Sequence, residues 1–181
     1  MTTFSVTKNG IPLDPSLYNW DGKAKAFSSD EDGLVLDFAG IIGVTFKTSY
    51  SCTFNTGPHC TFMTSSNCTF LTGCFCTFDT AHYCTFNTGF SCTFYTGSNC
   101  TFITGYSCTF NTSYGCTFNT GTDCTFNTGS DCIFKTGSAC IFKVGDNCSS
   151  IRSDIKGVTE IPDNKKIKLN EFGIAGYNIE G

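Results

Sequence analysis

The chain has 181 residues, including 14 Cys, 19 Phe and 19 Gly; 14% are charged and the formal net charge is -4. There is no basic excess to neutralise a phosphate backbone, which argues against nucleic-acid binding. No apolar run approaches the ~20 residues of a membrane span, and the phenylalanine content is too high for a disordered chain.

Residues 1–35 lie outside any repeat and read as an N-terminal cap. They carry the single tryptophan, Trp20, and two prolines, Pro12 and Pro15. Phe4–Thr7 and Lys25–Phe27 are short strand candidates. The opening decapeptide lacks the charged-then-apolar layout of a secretory signal.

From residue 36 to 148 one unit recurs, and the period decides the fold. Thirteen cysteines stand eight residues apart from Cys52 to Cys148; only Cys74 falls outside the series. A phenylalanine follows each of the first twelve by two residues: Phe54, Phe62, Phe70, Phe78, Phe86, Phe94, Phe102, Phe110, Phe118, Phe126, Phe134 and Phe142. The unit is Cys-Thr-Phe-x-Thr-Gly-x-x, and Val44–Thr48 and Leu36–Phe38 are degenerate units in the same register. Eight residues do not match a helical heptad. Within the unit the period is two, with Cys, Phe and the second Thr inward, followed by a turn. One strand and one turn make one side of a flattened coil, so two units close a coil of about 16 residues. The expectation is an all-β parallel β-solenoid, with a triangular three-unit coil as the alternative. Fifteen units at two per coil and ~4.8 Å per coil make an array about 36 Å long.

Twelve Phe side chains at ~200 Å² and ~25 cal/mol/Å² contribute about 60 kcal/mol of gross burial, most of it offset by chain ordering. The repeated Gly is Ser65, Ala81 or Ser113 in three units. Alanine is poor at positive φ, so crowding or turn shape, not a left-handed backbone, selects glycine there. Residues 149–181 alternate apolar and polar, with Lys166–Leu169 and Gly176–Ile179 as strand candidates for a C-terminal cap. Caps matter because an open solenoid end is a sheet edge that recruits other chains.

The thiols read first as small core hydrophobes. Val44 takes the Cys register, as does Leu36 in this reading, and thiols stacked on one sheet point in parallel, a poor geometry for disulfides. Structural zinc needs ligands converging on a point, whereas here only Cys74 and Cys76, with His82 nearby, are close together. His59 and His82 fall at turns, and Asp79, Asp123, Asp131 and Asp146 are scattered, so no catalytic constellation assembles. The expectation is a non-enzymatic protein without cofactor or metal. Outward Thr at Thr53, Thr61, Thr69 and onward makes a ladder on each sheet, as in ice-binding solenoids, but the second outward position is mixed (Asn55, Met63, Leu71, Asp79). DNA mimicry, which some pentapeptide-repeat solenoids use against topoisomerases, needs a more acidic face than this array offers.

Exposed aromatic placement is the more informative feature. With 16 residues per coil, Phe75, Phe90 and Tyr106 fall on one edge of successive coils, and Leu71, Tyr95 and Ile103 add outward apolar groups in the same central coils. A contiguous apolar stripe on a rod points to a partner; these six residues are the candidate interface. The octapeptide, with Asn147-Cys148 and Ile151-Arg152-Ser-Asp154 at its close, resembles octapeptide-repeat proteins of bacteriophage and large-virus genomes over residues 44–181. That resemblance implies a structural subunit of a virion, located in the particle or the host cytoplasm, whose partners are itself or other virion proteins.

Overall fold

In a computed structural model describing residues 4–180, the chain winds a two-sided parallel β-solenoid of about eight coils. In chain order the strands are β1 (Ser5–Lys8), β2 (Ile11–Pro12), β3 (Asn19–Asp21), β4 (Ala26–Ser28), β5 (Leu34–Phe38), β6 (Thr45–Lys47), β7 (Thr53–Thr56), β8 (Thr61–Met63), β9 (Thr69–Leu71), β10 (Thr77–Asp79) and β11 (Thr85–Asn87). They continue as β12 (Thr93–Tyr95), β13 (Thr101–Ile103), β14 (Thr109–Asn111), β15 (Thr117–Asn119), β16 (Thr125–Asn127), β17 (Ile133–Thr136), β18 (Ile141–Lys143), β19 (Ser149–Arg152), β20 (Val158–Glu160), β21 (Lys166–Leu169) and β22 (Tyr177–Glu180). A front sheet has the order β2-β1-β5-β7-β9-β11-β13-β15-β17-β19-β20, and a back sheet β22-β21-β18-β16-β14-β12-β10-β8-β6-β4-β3. Two units therefore close each coil, and the triangular alternative is excluded.

Every repeat strand pairs in parallel with the strand sixteen residues away, in strict register: Phe86 lies beside Phe70 and Phe102, and Phe78 beside Phe62 and Phe94. All twelve predicted core phenylalanines are buried. Within a sheet their rings stack at 4.8–4.9 Å along most of the ladder (Phe86–Phe102 at 4.8 Å and 3°). Across the sheets they meet edge to face, as Phe94 and Phe102 do at 5.2 Å and 77°. Both arrangements suit the aromatic quadrupole. At the flanks Cys and Thr face each other as expected, Thr48 beside Cys52 and Thr56 beside Cys60. The Thr56 hydroxyl donates to the Gly57 carbonyl at 3.4 Å, while the buried Thr48 hydroxyl has no partner among the described residues.

The first coil departs from the register read from the sequence. Leu36 lies beside Phe54 in the phenylalanine column, Phe38 beside Thr56, and Leu34 takes the cysteine position. The turn from Ala39 to Gly43 is two residues longer than the repeat turn, so counting back by eight from Val44 misplaces Leu36 by one inward position. The first back strand is β4, with Phe27 beside Phe46, and the last front strand is β19, so parallel pairing extends beyond residues 36–148 on both sides.

Both ends close with antiparallel strands. β1 and β2 cover β5, and β3 covers β4; β20 covers β19, and the hairpin β21–β22 covers β18. Phe4, Tyr18 and Trp20 pack on the first rings, with Phe4 stacked on Phe38 at 4.4 Å. At the other end Ser150 replaces phenylalanine in its column and Arg152 turns inward from the threonine column, both buried. Arg152 forms a buried ion pair with Asp154 and donates to the carbonyls of Ile174 (2.8 Å) and Glu171 (3.0 Å). The Gly173 amide donates to Asp154 at 2.7 Å. An isolated buried charge is costly, so this network fixes the 171–174 loop over the end of the rod.

Two outcomes test this account. Phe102→Ala removes a ring contacting four others and should lower unfolding free energy by about 4 kcal/mol in a chemical-denaturation titration. Hydrogen bonds from Arg152, then from the Gly173 amide, hold the Asp154 carboxyl below its ordinary value of 3.8. A depressed carboxylate contributes stability above its unfolded pKa and loses it as pH falls through the folded value. Protection of the Gly173 amide, its exchange rate taken relative to the intrinsic rate at each pH, should therefore fall below about pH 4, and Asp154→Asn should remove most of that acid dependence.

Candidate functional site

The turns set the geometry of the rod's two edges. At the residue preceding each cysteine of the eight-residue series the backbone is left-handed, at Ser51, His59, Asn67, Phe75, Tyr83, Ser91, Asn99, Ser107, Gly115, Asp123, Asp131, Ala139 and Asn147. Asn, Asp, Ser and one glycine (Gly115) account for most of that position, and short polar side chains tolerate it. The repeated glycine, in contrast, is not left-handed. A Cβ on Gly105 would stand 3.1 Å from the Phe90 backbone, and one on Gly121 3.1 Å from the Tyr106 nitrogen. A Cβ on Gly89 would strike the Cys74 sulfur. Crowding by the turn of the preceding coil selects this glycine, as the sequence implied. The left-handed site two residues later had a weak signal: Ser, Asn and Asp recur there.

Phe75 (φ 58) and Tyr83 (φ 59) are bulky residues in that left-handed site. Such residues rarely adopt it, and an observed outlier of this kind points to a functional position. Phe75 belongs to the front-to-back edge, where His59, Phe75, Phe90 and Tyr106 form one continuous ladder. His59 stacks on Phe75 at 5.0 Å and 8°, Phe75 meets Phe90 edge-on at 5.2 Å, and Phe90 stacks on Tyr106 at 4.8 Å and 3°. Phe75 and Tyr106 are about half exposed.

The structure brings five of the six candidate interface residues to one side. Phe75, Phe90 and Tyr106 form the edge; Leu71 and Ile103 project from the front face beside it, separated by Asn87. Tyr95 lies on the back face with Asp79 beside it. The opposite edge spaces Tyr50, Tyr83 and Tyr114 two turns apart. There His82 is a turn residue, its Nδ1 accepting from the Ser98 amide at 2.9 Å. A shallow polar depression lies between the Pro15–Leu17 turn and Lys47–Tyr50 and contains none of the predicted residues.

The thiols build two ladders, Cys52 to Cys148 on the front sheet and Cys60 to Cys140 on the back. All fourteen are free, thirteen of them buried. Most ladder thiols lie within hydrogen-bonding range of two backbone carbonyls, one two residues back and one in the turn of the preceding coil. Cys100 reaches Ser98 and Ala81, both at 3.6 Å. This explains why cysteine, more than valine, fills the column: it is small and apolar yet carries a weak donor for the turn carbonyl. The hydrogen-bonded neighbour Cys68, then burial, pushes the Cys52 thiol well above its ordinary value. Neighbouring thiols and burial raise Cys92, Cys100 and Cys124 in the same way. Among the described residues no group of three or more His, Cys, Asp or Glu converges as a metal site.

Comparisons with protein-family models, with curated proteins and with solved structures find no match to this chain.

Only Cys74 among the thiols is partly exposed. A thiol-reactive chromogen should therefore label one cysteine rapidly in the folded protein and all fourteen in denaturant without reductant. Rapid labelling of several thiols before unfolding would contradict the sealed ladders.

Proposed function

We propose that the protein is a non-enzymatic structural rod, a rigid spacer or assembly subunit whose aromatic edge packs against another subunit. The observation that carries this reading is the continuous His59–Phe75–Phe90–Tyr106 ladder along one edge of the rod. Clustered aromatic groups are the common anchors of protein interfaces, and strained Phe75 is placed where it can serve only the surface. The resemblance of the octapeptide to phage and large-virus proteins supports a virus or phage particle as the setting, with itself or other virion proteins as partners.

A second reading follows from the outward threonines, which stand in register as Thr53, Thr69, Thr85, Thr101 and Thr117 on the front face. Such a file suits ice, although the adjacent column alternates Asn with Leu71 and Ile103 and breaks a regular lattice.

Light scattering across a concentration series separates the two. A defined oligomer or a growing filament is expected, and Phe90→Asp with Tyr106→Asp should abolish it while circular dichroism stays unchanged. A strict monomer at every concentration, with activity in an ice-recrystallisation assay, would favour the second reading.

A further inference from the structure

The front face carries a pattern that the repeat does not require. Of its eleven strands, β11 is the central one. Strand pairing holds the outward side chains in columns. From β5 to β17 one column reads Asp37, Asn55, Leu71, Asn87, Ile103, Asn119, Lys135. Reversed about Asn87, it complements itself: Asp37 meets Lys135, Asn55 meets Asn119, and Leu71 meets Ile103. The neighbouring column behaves likewise, with Val35 and Ile133 at its ends and five threonines between. The adjacent edge shares the centre. Phe90 follows β11, Phe75 and Tyr106 flank it one coil away, and His59 and Asp123 stand two coils away.

We propose that two copies of this chain pack front face to front face, related by a two-fold axis running along β11. Rotation about an axis parallel to the strands, between the faces, preserves position along a strand and reverses the order of coils. Each column then faces its own reversed copy, as an isologous contact demands. Asp37 of each copy comes opposite Lys135 of the other, aliphatic groups oppose aliphatic groups, and Asn87 pairs with itself. The two aromatic edges are carried to the same side of the dimer, where Phe75 of one copy neighbours Tyr106 of the other.

Three further observations favour a second copy of this chain as the occupant. The faces are nearly untwisted, since successive front-sheet rings stay parallel within 2–4° from Phe54 to Phe118. Flat sheets can therefore stay in contact along their whole length, where the usual twist would splay them apart. Because β11 is the sixth of eleven strands, this axis overlaps the two sheets end to end. Eleven strands at about 4.8 Å by about 12 Å of strand give about 600 Å² per copy, about 1,200 Å² in all, the lower bound of stable interfaces. The back face lacks this property. About its central strand β12, Lys47 and Lys143 are equidistant and would meet as like charges, while Met63 would meet Asn127.

The inference rests on the self-assembly part of the proposed function, and charge reversal tests it separately. Sedimentation velocity over a concentration series should show a dimer for the wild-type chain. Asp37→Lys and Lys135→Asp should each weaken it by at least about tenfold, because each variant opposes like charges in two places. An equimolar mixture of the two variants should recover the dimer, since every reversed group then meets its opposite. Thermal melts of both variants matching the wild type secure the fold. Variants that dimerise like the wild type, or a mixture that stays weak, would overturn this face as the contact while leaving self-assembly standing. A wild-type chain that is monomeric throughout would overturn both.

Discussion

The stacking of phenylalanine on phenylalanine at the coil spacing is the constraint from which the rest of the structure follows. A ring ladder at 4.8–4.9 Å matches the separation of hydrogen-bonded strands, so ring stacking and backbone pairing are satisfied by the same translation. The edge-to-face contact between ladders then fixes how far apart the two sheets stand. Because each ring contacts the coil above and the coil below, no coil can bury its stripe alone. Stability is a property of the stack, and each end must be closed by something unlike the repeat.

That translation dictates the turns. Two sheets so close leave three residues to reverse the chain, and successive turns lie almost in contact. Glycine is favoured where a Cβ would crowd the turn below, and a left-handed residue precedes each ladder cysteine to return the chain to the strand. The cysteine thiol answers the turn carbonyl from inside. Core, turn and thiol are one solution to one packing problem, which is why the octapeptide recurs with so little variation.

Variation is left to positions facing outward, and there the chain departs from a neutral scaffold. Phe75, Phe90 and Tyr106 sit where serine, asparagine or threonine serve the turn equally well in other coils. Between β5 and β17 the front face places its charges and aliphatic groups symmetrically about β11, whereas the back face does not do so about β12. A rod whose interior is uniform can encode recognition only in such outward columns. The near absence of twist keeps those columns straight enough to meet a partner along their length.

The octapeptide by itself determined the all-β solenoid, the inward Cys, Phe and Thr, the crowding role of glycine and, once two units close a coil, the aromatic edge. Each follows from periodicity, because a period of two within a strand and eight within a unit sets which side chains are buried, whereas strand pairing decided for two units per coil over three. The tertiary structure alone decided what lies beyond the period. Leu36 moved to the phenylalanine column because a turn two residues longer precedes Val44, and loop length does not announce register. Arg152 and Asp154 became a buried pair because the strand ended and the following loop folded back over it. Tyr95 parted from Leu71 and Ile103 because neighbouring units face opposite ways. Local periodicity fixes which side chains point inward; which outward groups share a face depends on how the coil closes, and that is settled only when the strands pair.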